Sequence, residues 1–462
     1  MAALVFEGFL STPEMVALFD ERAMVQAMMD FEAALARAQA RAGVIPQAAA
    51  QAIASLCRAE LYDLAGMVAA SGRAGSLAIP LVKKLTETVA LFDPVAAGYV
   101  HWGSTSQDVI DTAMVLQTRR ALRLIEDDLL QLCGQLLDLA EHFEATPVLA
   151  RTLLQPALVG SLRCKFVNWL MPLLRSAQAL RARADEALLL QLGGAAGTLA
   201  SLGEQADAVA AQVAAELQLR LPEMPWHTQR DRWLRLGAEL GVLTGSLGKM
   251  ACDLALLAQA EVGEMAEGGA GGSSAMPHKR NPVACMQALA AARRTPQRVA
   301  ALLACMEQEH ERGLGGWQAE LAEWSGLLLS CHGALRAMAQ AAAQLQVQPA
   351  RMLENIDALQ DLVFAEDLAL LLARVWGRAR AHQVVEGLSQ QVQAQGQPLR
   401  RLARTLLAQD AELAARIEPA ALEAVFDLVA AARHADARVQ QVLTQARAQW
   451  QALMDQPMTV PE

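Results

Sequence analysis

LGVLTGSLGKMACDLALLAQAEV at residues 240–262 and VACMQALAAARRTPQRVAALLACM at residues 283–306 are dominated by Ala, Leu and Met. These residues are strong helix formers, so both stretches read as long helices. Working outward, the chain from about 109 to 346 contains several helical stretches much longer than an average globular helix. They are broken chiefly at Thr146-Pro147, at 193–203, at 222–225 and at 268–282. Long helices with few breaks predict an elongated bundle. Such helices seldom bury every apolar face inside one subunit, so 240–262 and 283–306 are expected to pack against other copies of the chain in a homo-oligomer.

Before this region, Thr12-Pro13-Glu14 carries a capping residue, a first-turn proline and an acid that complements the helix dipole. The spacing of Met15, Leu18, Phe19, Met24, Met28, Phe31, Leu35 and Ala38 predicts one helix from Thr12 to about Ala42, stopped by Gly43 and Pro46. Met15, Met24 and Met28 are read as core packing. Further helices reach about Phe92. The polar, glycine-bearing stretch around His101 to Asp108 then marks a boundary. Beyond 346 the helices shorten, with breaks at Gly396-Gln397-Pro398 and Pro419. The expected organisation is an all-α protein, helical throughout, with an N-terminal domain 1–108, a central long-helix bundle 109–346 and a small terminal domain 347–462. Its 54% apolar residues with only 4% aromatics suit helices better than sandwiches or barrels.

Several classes are disfavoured. The longest uncharged stretch, 187–203, holds Gln191, four glycines, Thr198 and Ser201, which argues against a membrane span. The start, MAALVFEGFLSTPE, lacks a basic n-region and places Glu7 in the would-be apolar segment, against a signal peptide. Seven scattered cysteines without a CxxC suggest neither a disulfide framework nor a thiolate zinc site, and fit a reducing cytoplasm. A net charge of −10 argues against nucleic acid and requires any anionic substrate to be drawn by local positive charge. With five lysines against thirty-four arginines, the place of each lysine is informative.

Gly268-Gly269-Ala270-Gly271-Gly272-Ser273-Ser274-Ala275-Met276-Pro277-His278-Lys279-Arg280-Asn281-Pro282 is the most distinctive segment. On composition alone it is either a flexible linker or a cradle of backbone N–H groups, an ammonium and an amide for one anion. Ser104-Thr105-Ser106-Gln107-Asp108 reads as a capped helix start, and Arg151-Thr152-Leu153-Leu154-Gln155-Pro156-Ala157 as an ordinary buried turn. Glu307, Glu309, His310 and Glu311 lack a second histidine at helical spacing, so no metal site is expected.

The 272–282 segment resembles the signature loop of the fumarase/aspartase superfamily, GSSxMPxKxNP, at every fixed position. Residues 103–108 resemble that superfamily's GxTSxD and residues 151–157 its RTHxQxA. The resemblance implies that Ser273 exchanges a proton with the carbon beside a carboxylate. It further implies that Lys279 and Asn281 bind that carboxylate, and that Thr105, Ser106, Thr152 and Gln155 bind substrate. Deprotonation beside a carboxylate yields a doubly charged aci-carboxylate, so the chemistry demands preorganised positive potential. The lyases' histidine after the threonine, which serves in protonating the leaving group, is Leu153 here. The carboxymuconate cycloisomerases of this superfamily also lack it, commonly having Trp. An internal carboxylate, with a pKa of about 4, can leave without an acid, whereas an amine cannot. Residues 193–198, 226–232 and 308–312 also resemble that branch, with His310 or Arg312 as a further substrate contact. The implied protein is a cytoplasmic, cofactor-independent homotetramer whose composite sites take a small tricarboxylate. The rivals are an adenylosuccinate-lyase-like carbon–nitrogen lyase and a non-catalytic helical scaffold.

Overall fold

The computed structural model describes residues 5–269, 271–272 and 275–458. Seven long helices carry the architecture: α1 (Glu21–Arg41), α2 (Ser106–His142), α3 (Leu162–Ala187), α4 (Asp231–Leu257), α5 (Val283–Ala304), α6 (Gly316–Ala343) and α7 (Leu428–Asp455). Helix α2 lies against α1, α3, α6 and α7, while α4 packs on α3, α5 and α6, and α5 on α6. Glycines within 240–262 serve this packing. A Cβ on Gly248 would stand 2.5 Å from the Cβ of Ala292, and one on Gly241 would stand 2.9 Å from Val299 Cγ2, so α4 and α5 approach closely only because both positions are bare. By length and apolarity α4 is the one described helix that could cross a membrane, but half of its most apolar window is buried against its neighbours.

Two expectations need correcting. The helix starting at Thr12 does not run unbroken to Ala42. Thr12 caps a short helix, Pro13–Leu18, and Asp20 then caps α1 by accepting the Ala23 N–H at 2.8 Å. Periodicity continued through the break because Met15 and Met28 both face the core, and Met24 packs beside it. The fold is all-α, as expected, but the chain is not helical throughout. Between α2 and α3 runs an antiparallel hairpin, β1 (Pro147–Thr152) and β2 (Gln155–Ser161), and a two-residue pair, β3 (Met265–Ala266) with β4 (Gln346–Val347), ties the exit of α4 to the end of α6.

A second apolar core, including Ile356, Leu368, Leu399, Leu413 and Phe426, gathers the short helices after Pro349, and Leu149 and Val159 of the hairpin belong to it. Helix α7 leaves this unit and lies along the bundle, where Trp450 Nε1 donates to the Leu130 carbonyl at 2.8 Å. Inside the bundle, Trp233 and Trp324 stack at 4.0 Å. Arg230 is buried between Asp111, 2.9 Å away, and Glu320.

Candidate active site

One group of candidate residues assembles where α2 begins. Thr105 occupies its N-cap, and the Asp108 carboxylate accepts the Thr105 N–H at 3.1 Å. Arg312, arriving from the connection between α5 and α6, donates to the Thr105 hydroxyl and, at 3.0 Å, to Ser106 Oγ. Both of its partners are neutral, and among the described residues no carboxylate pairs with Arg312. The contrast with Arg230, Arg163 and Arg151, each held by an acid, is direct. A partly buried guanidinium on two hydroxyls in a chain of net charge −10 leaves positive potential free for an anion. His310, two residues before Arg312, has a left-handed φ of +51°. Its ring makes no hydrogen bond to Thr105 or Ser106.

His101 stands beside this group. Burial disfavours its charge, but the Glu32 carboxylate 2.6 Å from Nδ1, with Asp108 beyond, outweighs burial and holds its pKa above the usual histidine range.

The second group lies at the far end of the bundle. Thr152 pairs with Gln155 across the hairpin tip, and the two linking residues, Leu153 and Leu154, have φ of +52° and +64°. Left-handed backbone at both positions is the geometry of a two-residue hairpin loop, where Asn-Gly is the usual choice. Leu153 is 96% exposed and offers no proton donor. Just behind the tip the hairpin is anchored by Arg151, whose guanidinium makes two bonds, at 3.0 and 2.7 Å, to the fully buried Glu264 just past α4.

The glycine-rich segment leaves the bundle at the same end. Gly271 and Asn281 exchange backbone hydrogen bonds at 3.1 and 2.8 Å, closing the loop on itself, while Asn281 Nδ2 lies 3.4 Å from the Gly272 carbonyl. Glu267 accepts the Ala284 and Cys285 N–H groups at 3.0 and 2.8 Å, capping α5 from outside. Lys279 sits within this closed loop; Ser273 lies outside the described residues. A flexible linker would need no such pinning at both ends.

The separation of the two groups follows from helix geometry. Helix α2 has 37 residues, so its start, with Thr105 and Ser106, stands about 55 Å from its end, where the hairpin begins. A hairpin arm of about six residues spans only about 20 Å and cannot close that gap. One chain therefore brings Thr105, Ser106 and Arg312 together, and holds Thr152, Gln155, Lys279 and Asn281 at the opposite end.

Comparison with known proteins gives this arrangement a family. A family model described as "Lyase" matches residues 9–296, and one described as "Adenylosuccinate lyase C-terminus" matches residues 361–442. The chain is 46% identical over 426 residues to the 3-carboxy-cis,cis-muconate cycloisomerase of Pseudomonas aeruginosa, covering 92% of each protein. It is 44% identical over 424 residues to the protein of that name from Bradyrhizobium diazoefficiens, covering 91% of this chain and 93% of the relative. The crystal structure of 3-carboxy-cis,cis-muconate lactonizing enzyme from Pseudomonas putida superposes with a TM-score of 0.89 at 41% identity, over 96% of this chain and 99% of that one. The chain belongs to the fumarase/aspartase superfamily.

Within this superfamily member, sequence reasoning passed over residues that the structure brings forward. Asp108, in sequence the first-turn acid of a capped helix start, also accepts from Gly193, Gly194 and His227. Glu264 carried no motif. Lys165, in the first turn of α3, stands at the hairpin end. Burial pushes its ammonium below the usual lysine pKa, with Lys249 and Arg151 adding to the effect against Asp253 and Glu264. The scarcity of lysines was the signal available for it.

Proposed function

We propose that this enzyme interconverts 3-carboxy-cis,cis-muconate and carboxymuconolactone, a step in aromatic-acid degradation. Four relatives at 38–46% identity, each matched over about nine-tenths of this chain, carry the cycloisomerase name and support the assignment. The observation that carries it is the hairpin tip. Where a carbon–nitrogen lyase needs an acid for its departing amine, Leu153 projects an alkyl group, and a departing carboxylate needs none.

In the lactonising direction a carboxylate oxygen adds to the conjugated double bond, and charge accumulates on another carboxylate as the aci form. Lys279 and Asn281 hold that carboxylate, while Thr105, Ser106 and Arg312 hold a second anionic group. Thr152 and Gln155 orient the substrate, and Ser273 delivers the proton to carbon. A serine serves here only when its alkoxide is stabilised by Lys279 and loop N–H groups in a site closed to water. Since the two donor groups stand at opposite ends of one chain, the reading calls for composite sites in a cytoplasmic homotetramer, with domains at 1–108, 109–346 and 347–462.

The test follows the loss of diene ultraviolet absorbance when purified protein meets 3-carboxy-cis,cis-muconate with chelator present, comparing wild type with Ser273→Ala. Turnover in wild type that falls by orders of magnitude in the variant is expected. No turnover in wild type refutes the reaction, and equal rates remove Ser273 from it.

A further inference from the structure

The Asp108 carboxylate is fully buried and gathers donors from three separated segments of the chain. Its Oδ2 accepts Thr105 N–H at 3.1 Å, Gly194 N–H at 2.9 Å and, at 3.4 Å, the Ser104 hydroxyl. Its Oδ1 accepts Gly193 N–H at 3.0 Å and meets His227 Nε2 at 2.7 Å. His227 is itself only 3% exposed. Such convergence needs bare backbone. A Cβ on Gly193 would sit 2.8 Å from His227 Cε1, and one on Gly194, where φ is +67°, would sit 2.9 Å from the Gly103 carbonyl. Asp108 and His227 are both shielded from solvent, yet Asp108 grips the residue next to Ser106 through its backbone N–H and so sets where the Thr105 and Ser106 hydroxyls meet Arg312.

We propose that Asp108 and His227 are positioning residues for the anion-binding hydroxyls of Thr105 and Ser106, holding the 103–106 turn in the geometry that receives a substrate carboxylate. The inference rests on the functional reading above for which substrate is held. The physical warrant is that a carboxylate receiving several charge-assisted bonds fixes its donors more rigidly than a neutral cap does. A misplacement of about 1 Å in a positioning group costs on the order of 10²-fold.

The test uses the intact protein and two isosteres. The amide nitrogen of glutamine overlays imidazole Nε2, the atom that meets Asp108, whereas that of asparagine overlays Nδ1. His227→Asn is therefore expected to raise KM, and the dissociation constant of propane-1,2,3-tricarboxylate measured by calorimetry, by about 10- to 100-fold, with kcat changed less than about threefold. His227→Gln restores both to within about threefold of wild type. Gly193→Ala, whose Cβ presses on Pro225 and on the imidazole without removing a polar group, repeats the asparagine effect. If the Asn and Gln variants bind the tricarboxylate equally, or if both lose thermal stability while binding is unchanged, the dyad is merely structural and the proposal fails. Absent turnover in wild type refutes the reaction instead, and leaves the binding comparison to decide the dyad.

Discussion

Separation of the two donor groups predicts complementation between dead enzymes. Arg312→Ala removes the cation at the start of α2, and Lys279→Ala removes the ammonium at the other end of the bundle. Each is expected to lower kcat/KM by about 10²- to 10³-fold, the usual cost of losing one preorganised charge-stabilising group. Because α5, about 33 Å of helix, lies between the two positions within a chain, a working site of the proposed kind takes Arg312 from one copy and Lys279 from another. When the two variants are unfolded, mixed in equal amounts and refolded, random assembly gives a site two intact contributors with a probability of about one quarter. Activity should then climb to about a quarter of wild type, at least about 25-fold above either variant refolded alone. The assay is the loss of diene absorbance, with size-exclusion chromatography confirming equal assembly. Were each site contained in one chain, every site in the mixture would carry one lesion. No recovery in correctly assembled mixtures would refute the composite site.

Other consequences are local. Arg230→Met leaves Asp111 and Glu320 buried without their cation, and should destabilise the fold by about 3–5 kcal/mol in chemical unfolding. Leu154→Gly removes a left-handed leucine that is 72% exposed, and should stabilise the protein by about 1 kcal/mol, read as a higher urea midpoint at unchanged slope. Burial works against the charge of Asp128, but His332, 3.0 Å away, and the hydrogen-bonded Arg336 guanidinium outweigh it and hold its pKa below the ordinary 3.8. Stability from this carboxylate is therefore present above that value and lost as pH falls through the lower folded one. The melting-temperature gap between wild type and Asp128→Asn should be widest near neutrality and close below about pH 4, and a gap independent of pH would contradict this.

Helical bulk and the broad element order were legible because Ala and Leu repeat at helical spacing over long windows, as at 240–262. The break at Asp20 was not, since the short helix Pro13–Leu18 and α1 turn their apolar faces to one core and the pattern passes unbroken through a cap. The hairpin escaped for a different reason. Its turn is Leu-Leu, whereas the sequence signal for a two-residue loop is Asn or Gly, which tolerate positive φ. The candidate anion-binding residues were named through the resemblance of short segments. Asp108 was visible in one of those segments, but its partners lie 85 and 119 residues away, a separation that no local pattern encodes.

Charge placement would let an acidic chain receive the trianion proposed as its substrate. Most buried or half-buried arginines are already matched: Arg230 by Asp111 and Glu320, Arg151 by Glu264, Arg181 by Glu126. Those pairs fix architecture and cancel their own field. Arg312 differs because its partners are hydroxyls, which orient the guanidinium without neutralising it, so in the proposed site a substrate carboxylate would be its counter-ion. The same logic predicts what Thr105→Asp would do. A carboxylate in place of the Thr105 hydroxyl would pair with Arg312 and occupy the anion's position with a fixed charge. Tricarboxylate binding should then fall further than in Thr105→Ala, which removes only one hydrogen bond, worth about 1 kcal/mol. Comparing the two dissociation constants separates the roles. If Thr105→Asp bound as well as Thr105→Ala, the free charge of Arg312 would not be what the substrate meets.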